Sequence, residues 1–255
     1  MTTAIILCLA IAYAAALFIE LAGLRRNWSF RQPFSLGCVA AGWLVHTIYL
    51  VYRLVVVYQT SPGLSLFGIK QDWYFGTAWG LVLIYLLWSR FDTRRAFAVC
   101  ILPLVLALLA VGYFLADRQP FARGPASQVL GAVHGISLLV ASLSVLVAFS
   151  AGVMYLGQSF RLKHKRFGRL PLPSLEWLRR TNMRAIGVAI AALAVGIFSG
   201  VVLNMISVEA GAARLPWYDP VVLATAGMFG WLVLMVGLGT FYRPAREGRK
   251  VAYLT

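Results

Sequence analysis

Apolar residues run along this chain in blocks of about twenty or more, and the polar residues gather between them. A block of that length crosses a bilayer as a helix. Seven spans can be drawn, over 3–24, 34–58, 73–89, 96–116, 129–157, 185–206 and 221–242. Inside them the apolar positions are continuous. They do not alternate every second residue, as the strands of an outer-membrane barrel would. The expected fold is all-α: a polytopic membrane bundle of about seven transmembrane helices, forming a single domain over 1–255. Every polar connection is shorter than about thirty residues, so no separate soluble domain is expected.

Charge then orients the spans. Of 23 basic residues, 18 fall in alternate connections: after the first span, after the third, between the fifth and sixth, and after the seventh. The opposite side holds Lys70, Arg118, Arg123 and Arg214, and Arg53 lies near the outer end of the second span. Basic residues are retained on the cytoplasmic side. The N-terminus is therefore expected outside and the C-terminus in the cytoplasm, in a bacterial cytoplasmic membrane. The net charge of +15 follows from this retention pattern, and it argues against a nucleic-acid partner. At 61% hydrophobic and 12% charged, the composition fits an integral membrane protein. The opening MTTAIILCLAIAYAAALFIELAGL lacks the charged start and cleavage site of a signal peptide and reads as the first span.

The longest inner connection is GQSFRLKHKRFGRLPLPSLEWLRRTNMR. Pro171 and Pro173 interrupt it, and LEWLRR after Ser174 reads as a short interfacial helix with Trp177 buried and arginines at the headgroups. Its basic residues serve retention, or bind anionic lipid or a partner.

Few polar groups enter the spans. His46, in GWLVHTIYLVYR, sits near the middle of the second. A neutral imidazole there hydrogen-bonds a neighbouring helix or ligates a haem iron. His134, in SQVLGAVHGISLLVASLS, lies about one and a half turns inside the outer boundary, with Gly135 and three serines following. Small residues admit a neighbouring helix or a flat ligand at close range. His164 stands in a solvated basic loop. Glu20 is near the inner end of the first span and Arg53 near the outer end of the second, so each is expected to snorkel to its own interface. There is no line of carboxylates of the kind a proton pump needs. Cys8, Cys38 and Cys100 lie in apolar spans with no CxxC or CxxCH, which excludes a thiol-redox pair and covalent haem attachment. No Ser/His/Asp set, HExxH or phosphate-binding glycine loop appears. LPWYDP, from Leu215 to Pro220, sits on the outer side before the last span. It reads either as a turn with an interfacial aromatic anchor or as part of a ligand-binding loop.

Three stretches in order resemble CcsA-type cytochrome c assembly proteins and their HemX and YpjD-like branches. They are SQVLGAVHGISLLVASLSVLVAFSAGVMYLGQSFRLKHKR, LPLPSLEWLRRTNMRAIGVAIAALAVGIFSG and LPWYDPVVLATAGMFGWLVLMVGLGTFYRPAREGRKVAYLT. VHTIYL around His46 is similar to the second helix of the YpjD-like branch. The resemblance implies a membrane subunit of cytochrome c biogenesis that binds haem and presents it at the outer face to apocytochrome c. It also implies a second membrane subunit of the ResB/CcsB type. On this resemblance His134 is the outer axial ligand of the haem iron, and His46 a weaker candidate within the membrane. Trp217, Asp219 and Pro220 match the end of the tryptophan-rich WWD loop, with Tyr218 in a tryptophan position. Arg118, Arg123, Arg214 and Lys70 are candidates for the haem propionates.

SVEAGAAR stands where the family carries further Trp and Gly residues, and Val221 where it carries Lys. The family's second outer His follows one more helix, so the chain reads as a truncated form or a member with one outer ligand. No autonomous catalytic motif is seen, and an enzymatic role is open only as part of a haem-attachment system. The first alternative is a HemX/YpjD-like scaffold or regulator without haem ligation. A small-molecule transporter is a further one, although no inverted repeat is present.

Overall fold

A computed structural model describes residues 2–25, 30–60, 70–89, 94–116, 128–165, 172–209 and 216–241. Among them the chain forms seven α-helices and no strand. They are α1 (Thr2–Arg25), α2 (Arg31–Thr60), α3 (Lys70–Trp88), α4 (Arg94–Phe114), α5 (Gln128–Lys163), α6 (Leu175–Glu209) and α7 (Pro220–Phe241). Each predicted span coincides with one helix. Six of the helices are long and apolar enough to cross a membrane. The exception is α3, whose first half, KQDWYFGTAWG, dilutes its hydropathy.

The helix lengths carry one correction. LEWLRR is not a separate interfacial helix but the first turns of α6, continuous to Glu209. Nothing between Leu175 and Arg184 breaks the ladder, since glycine and proline are both absent there. At 35 residues α6 is about 52 Å long, against an apolar core of about 30 Å. Its polar opening turns therefore extend beyond the span while remaining helical.

The helices fall into two compact units. The first contains α1 to α4 and the end of α5 from Gly157; the second contains the rest of α5, α6 and α7. In the first unit α1 packs on α2 and α4, and α3 packs on the same two helices, so the four close into a ring. Each of α1 and α2 buries a single stripe. On α1 it runs through Ile6, Leu9, Tyr13, Ala16 and Glu20, and on α2 through Ser35, Val39, His46 and Tyr49. The spacing of three and four residues is that of one helix face. Gly42 lets the two stripes meet. A Cβ there would lie 3.0 Å from Tyr13 Cε1 and 3.2 Å from Ala12 Cβ, so a larger residue would push the backbones apart. By contrast α3 is buried on most of its circumference, through Phe75, Ala78, Leu81, Val82 and Tyr85. Its polar opening half is buried, with Asp72 paired to α2 and Gln71 to α4.

In the second unit α5 and α6 run antiparallel. His134 meets Gly196 near one end, and Asn182 Nδ2 donates to the Ala148 carbonyl at 2.8 Å fourteen residues further along both helices. That register holds over about 21 Å. Ten residues separate α6 from α7, too few to span the length of α6. The two helices therefore reverse direction, and the α6–α7 turn lies at the His134 end of this unit.

Candidate functional site

His134 is presented by the second turn of α5, and its partners come from α6. Its Nδ1 lies 2.7 Å from the Gly196 carbonyl oxygen. A carbonyl only accepts, so Nδ1 carries the proton and Nε2 is the lone-pair nitrogen. Ser199 Oγ lies 3.0 Å from the same carbonyl and 3.5 Å from Nδ1. The ring lies over Gly200, where a Cβ would come within 2.9 Å of His134 Cε1. One glycine supplies the carbonyl and another supplies the clearance, four residues apart on one face of α6. This hydrogen bond to a backbone carbonyl is the one that fixes the tautomer and orientation of metal-ligating histidines. The donor chemistry of His134 thus fits an axial haem ligand.

The Trp217–Tyr218 segment forms a tight turn. Asp219 N–H donates to the Pro216 carbonyl at 3.0 Å. Asp219 then begins α7: its Oδ1 accepts from Val221 N–H at 2.8 Å, and its carbonyl accepts the first helical bond, from Leu223 N–H at 3.0 Å. Asp at the N-cap followed by Pro at the first helical position is a helix-start arrangement with a complete local purpose. Trp217 is 49% exposed and Tyr218 79%. The turn therefore holds two large aromatic rings outward at the end of the unit that also carries His134. Arg118, Arg123 and Arg214, expected at the propionates, lie outside the described residues.

His46 has different surroundings. It is fully buried in the first unit, with Nδ1 3.3 Å from Tyr13 Oη. Its ring meets Phe75 edge-on and Tyr13 at a tilt. These contacts enclose the ring within the first unit. The two histidines belong to different units.

Neither expectation of snorkelling describes the first unit. Arg53 turns inward, donating from Nε and Nη2 to Asp72 Oδ1 at 3.1 and 2.8 Å. Asp72 is 1% exposed. Next to it, Gln71 Nε2 donates to the Gly112 carbonyl of α4 at 3.1 Å. Glu20 stays buried in the α1–α2 seam. The Arg53–Asp72 pair had a signal in the sequence, since opposite charges flank one short connection. A second contact had none: Trp43 and Trp79 stack with ring centroids 5.5 Å apart, and Trp79 Nε1 donates to Thr47 Oγ1 at 2.8 Å.

At the opening of α6, Arg180 Nε lies 2.7 Å from Glu176 Oε1 and Arg179 Nε 3.3 Å from Oε2. The hydrogen bond from Arg180, and then that from Arg179, holds the Glu176 carboxyl below its ordinary range. All three side chains are exposed. Among the described residues no three His, Cys, Asp or Glu side chains cluster as a metal site. No family model, curated protein or solved structure matches the chain.

Proposed function

We propose that this protein is a haem-handling membrane subunit of cytochrome c biogenesis. In this reading all seven helices span a bacterial cytoplasmic membrane, with the N-terminus outside and the C-terminus in the cytoplasm. His134 takes haem near the outer face and presents it to apocytochrome c, together with a second membrane subunit of the ResB/CcsB type. The carrying observation is the His134 Nδ1–H bond to the Gly196 carbonyl, which fixes the neutral tautomer with its lone pair on Nε2, as in metal-ligating histidines. Exposed Trp217 and Tyr218 add stacking area at the same end of the unit. Bound haem supplies the vinyl groups that react with cysteine thiols; the protein's part is to hold and orient it.

The test is the visible spectrum of detergent-purified protein with added haem. Wild type is expected to give a Soret band that weakens or shifts in His134→Ala. Identical spectra in the two proteins, or no band in either, would reject the reading.

A scaffold of the HemX/YpjD type is the second reading, favoured by the Asp219 cap. That cap accounts for the Asp-Pro pair by helix initiation alone. Here the exposed, basic opening of α6 docks an enzyme on the inner side. Co-purification of such an enzyme, lost on replacing Arg179, Arg180 and Arg184 but kept in His134→Ala, would favour it over haem delivery.

A further inference from the structure

The three arginines in the opening turns of α6 do not share the same partners. Arg179 and Arg180 both hydrogen-bond the carboxylate of Glu176. Arg184 is exposed and has no hydrogen bond or ion pair among the described residues. Three arginines against one carboxylate leave these turns with a net charge of +2. Arg184 also marks where charge stops, since no charged residue occurs over 185–208.

Arg180 and Arg184 head an exposed stripe. Val188, Ala191, Val195 and Phe198 continue it, and all six residues are exposed. Steps of four, four, three, four and three keep them within about 40° of one line along the helix. The positions that face α5, Asn182 and Gly200, lie about 160° round from Arg184, so α5 packs behind the stripe. Beside Arg184, a Cβ added at Gly187 would meet nothing within 4 Å, which leaves a shallow recess next to the guanidinium stem. From Arg184 the stripe reaches Val195 in about 16 Å and Phe198 in about 21 Å. One leaflet supplies half of an apolar thickness of about 30 Å. The apolar part of the stripe is therefore as long as one acyl chain in its leaflet. Helical side chains lean toward the N-terminus of their helix. Both guanidinium groups thus reach back from the apolar positions toward the polar turns, where headgroups lie.

We propose that this face of α6 is a docking surface for an anionic phospholipid, with the headgroup phosphate on Arg184 and Arg180 and one acyl chain along Val188, Ala191, Val195 and Phe198. The inference is independent of the haem reading and uses none of its residues. A guanidinium fork matches two oxygens of a phosphate. Arg180 spends only Nε on Glu176, at 2.7 Å, so its terminal nitrogens remain for the lipid. The net positive charge of the turns selects a headgroup that stays negative over a zwitterionic one, whose own cation Arg184 repels.

The experiment is native mass spectrometry of the purified chain released from detergent micelles, with dioleoyl phosphatidylglycerol or dioleoyl phosphatidylcholine supplied separately at equal concentration. Wild type is expected to retain the glycerol lipid about fivefold more than the choline lipid, the effect of one basic residue at an anionic surface. Arg184→Gln is expected to lose this preference. Arg179→Gln removes the same charge from the same turns but about 140° round the helix, and is expected to keep it. Equal retention of the two lipids by wild type would overturn the proposal and leave the arginines to an acidic protein partner. An equal loss in both variants would overturn it in favour of unspecific charge. A short-chained phosphatidylglycerol carries the same headgroup and is expected to be retained less than the dioleoyl form. Equal retention of those two would leave the apolar stripe without a role and overturn the surface as drawn.

Discussion

Arg53 on α2 directs two hydrogen bonds, at 3.1 and 2.8 Å, to a single oxygen of Asp72 in the first turn of α3. The carboxylate is 1% exposed, so the pair is an interior contact joining two helices across their connection. Breaking such a pair by removing one partner leaves an uncompensated buried charge and costs about 3–5 kcal/mol. Asp72→Leu is expected to lower the unfolding free energy in detergent by that amount. Arg53→Met with Asp72→Leu is expected to cost less than either single change. Thermal melts of the four proteins close the cycle, and additive losses would mean the contact contributes nothing.

Gly200→Ala brings a methyl group within 2.9 Å of the His134 ring. Overpacking of this kind costs about 1–3 kcal/mol. The ring is expected to move off the Gly196 carbonyl, which the imidazole nitrogen chemical shifts of labelled His134 would report. Unchanged shifts would count against the tight fit.

Asp219→Ala removes the cap of α7 and is expected to cost about 1 kcal/mol, whereas Asp219→Asn retains most of it. Melting temperatures without haem decide this. Equal stability in all three proteins would shift the role of Asp219 from helix initiation to ligand binding.

Glu176 titrates below its ordinary range because of Arg180 first and Arg179 second. A carboxyl depressed in the folded state adds stability above its unfolded value of about 4.3, and this contribution fades as pH falls through the folded value. Arg180→Gln is expected to move the Glu176 titration upward, as read from the carboxyl carbon resonance. Full exposure of the group keeps its share of global stability small.

All seven helices were visible as hydrophobic blocks, six of them long and apolar enough to cross a membrane. Their surroundings were less visible. Periodicity could not separate α3, enclosed by neighbours, from α7, whose Val221, Leu223 and Trp231 stay exposed. Both read as apolar runs, and only packing distinguishes protein from lipid as the surrounding medium. His134 and LPWYDP were singled out by residue type, but the Gly196 carbonyl and the Asp219 cap were not. Backbone groups carry no signature in composition. Glu20 and Arg53 were misread for a related reason: each was weighed against the nearest interface, while the fold supplied Arg53 with a partner and Glu20 with a buried seam.

The polar opening half of α3 has a consequence for how the protein is made. A segment carrying Lys70, Gln71 and Asp72 ahead of only half a helix of strongly apolar sequence partitions poorly into lipid on its own. Its cost falls once Arg53 of the preceding helix faces Asp72 and Gly112 of the following one receives Gln71. In the seven-span arrangement proposed above, α3 therefore has reason to linger at the insertion machinery until α4 emerges, so that α2, α3 and α4 enter the bilayer as one cohort. Chains halted before α4 would be the ones most readily recognised and degraded.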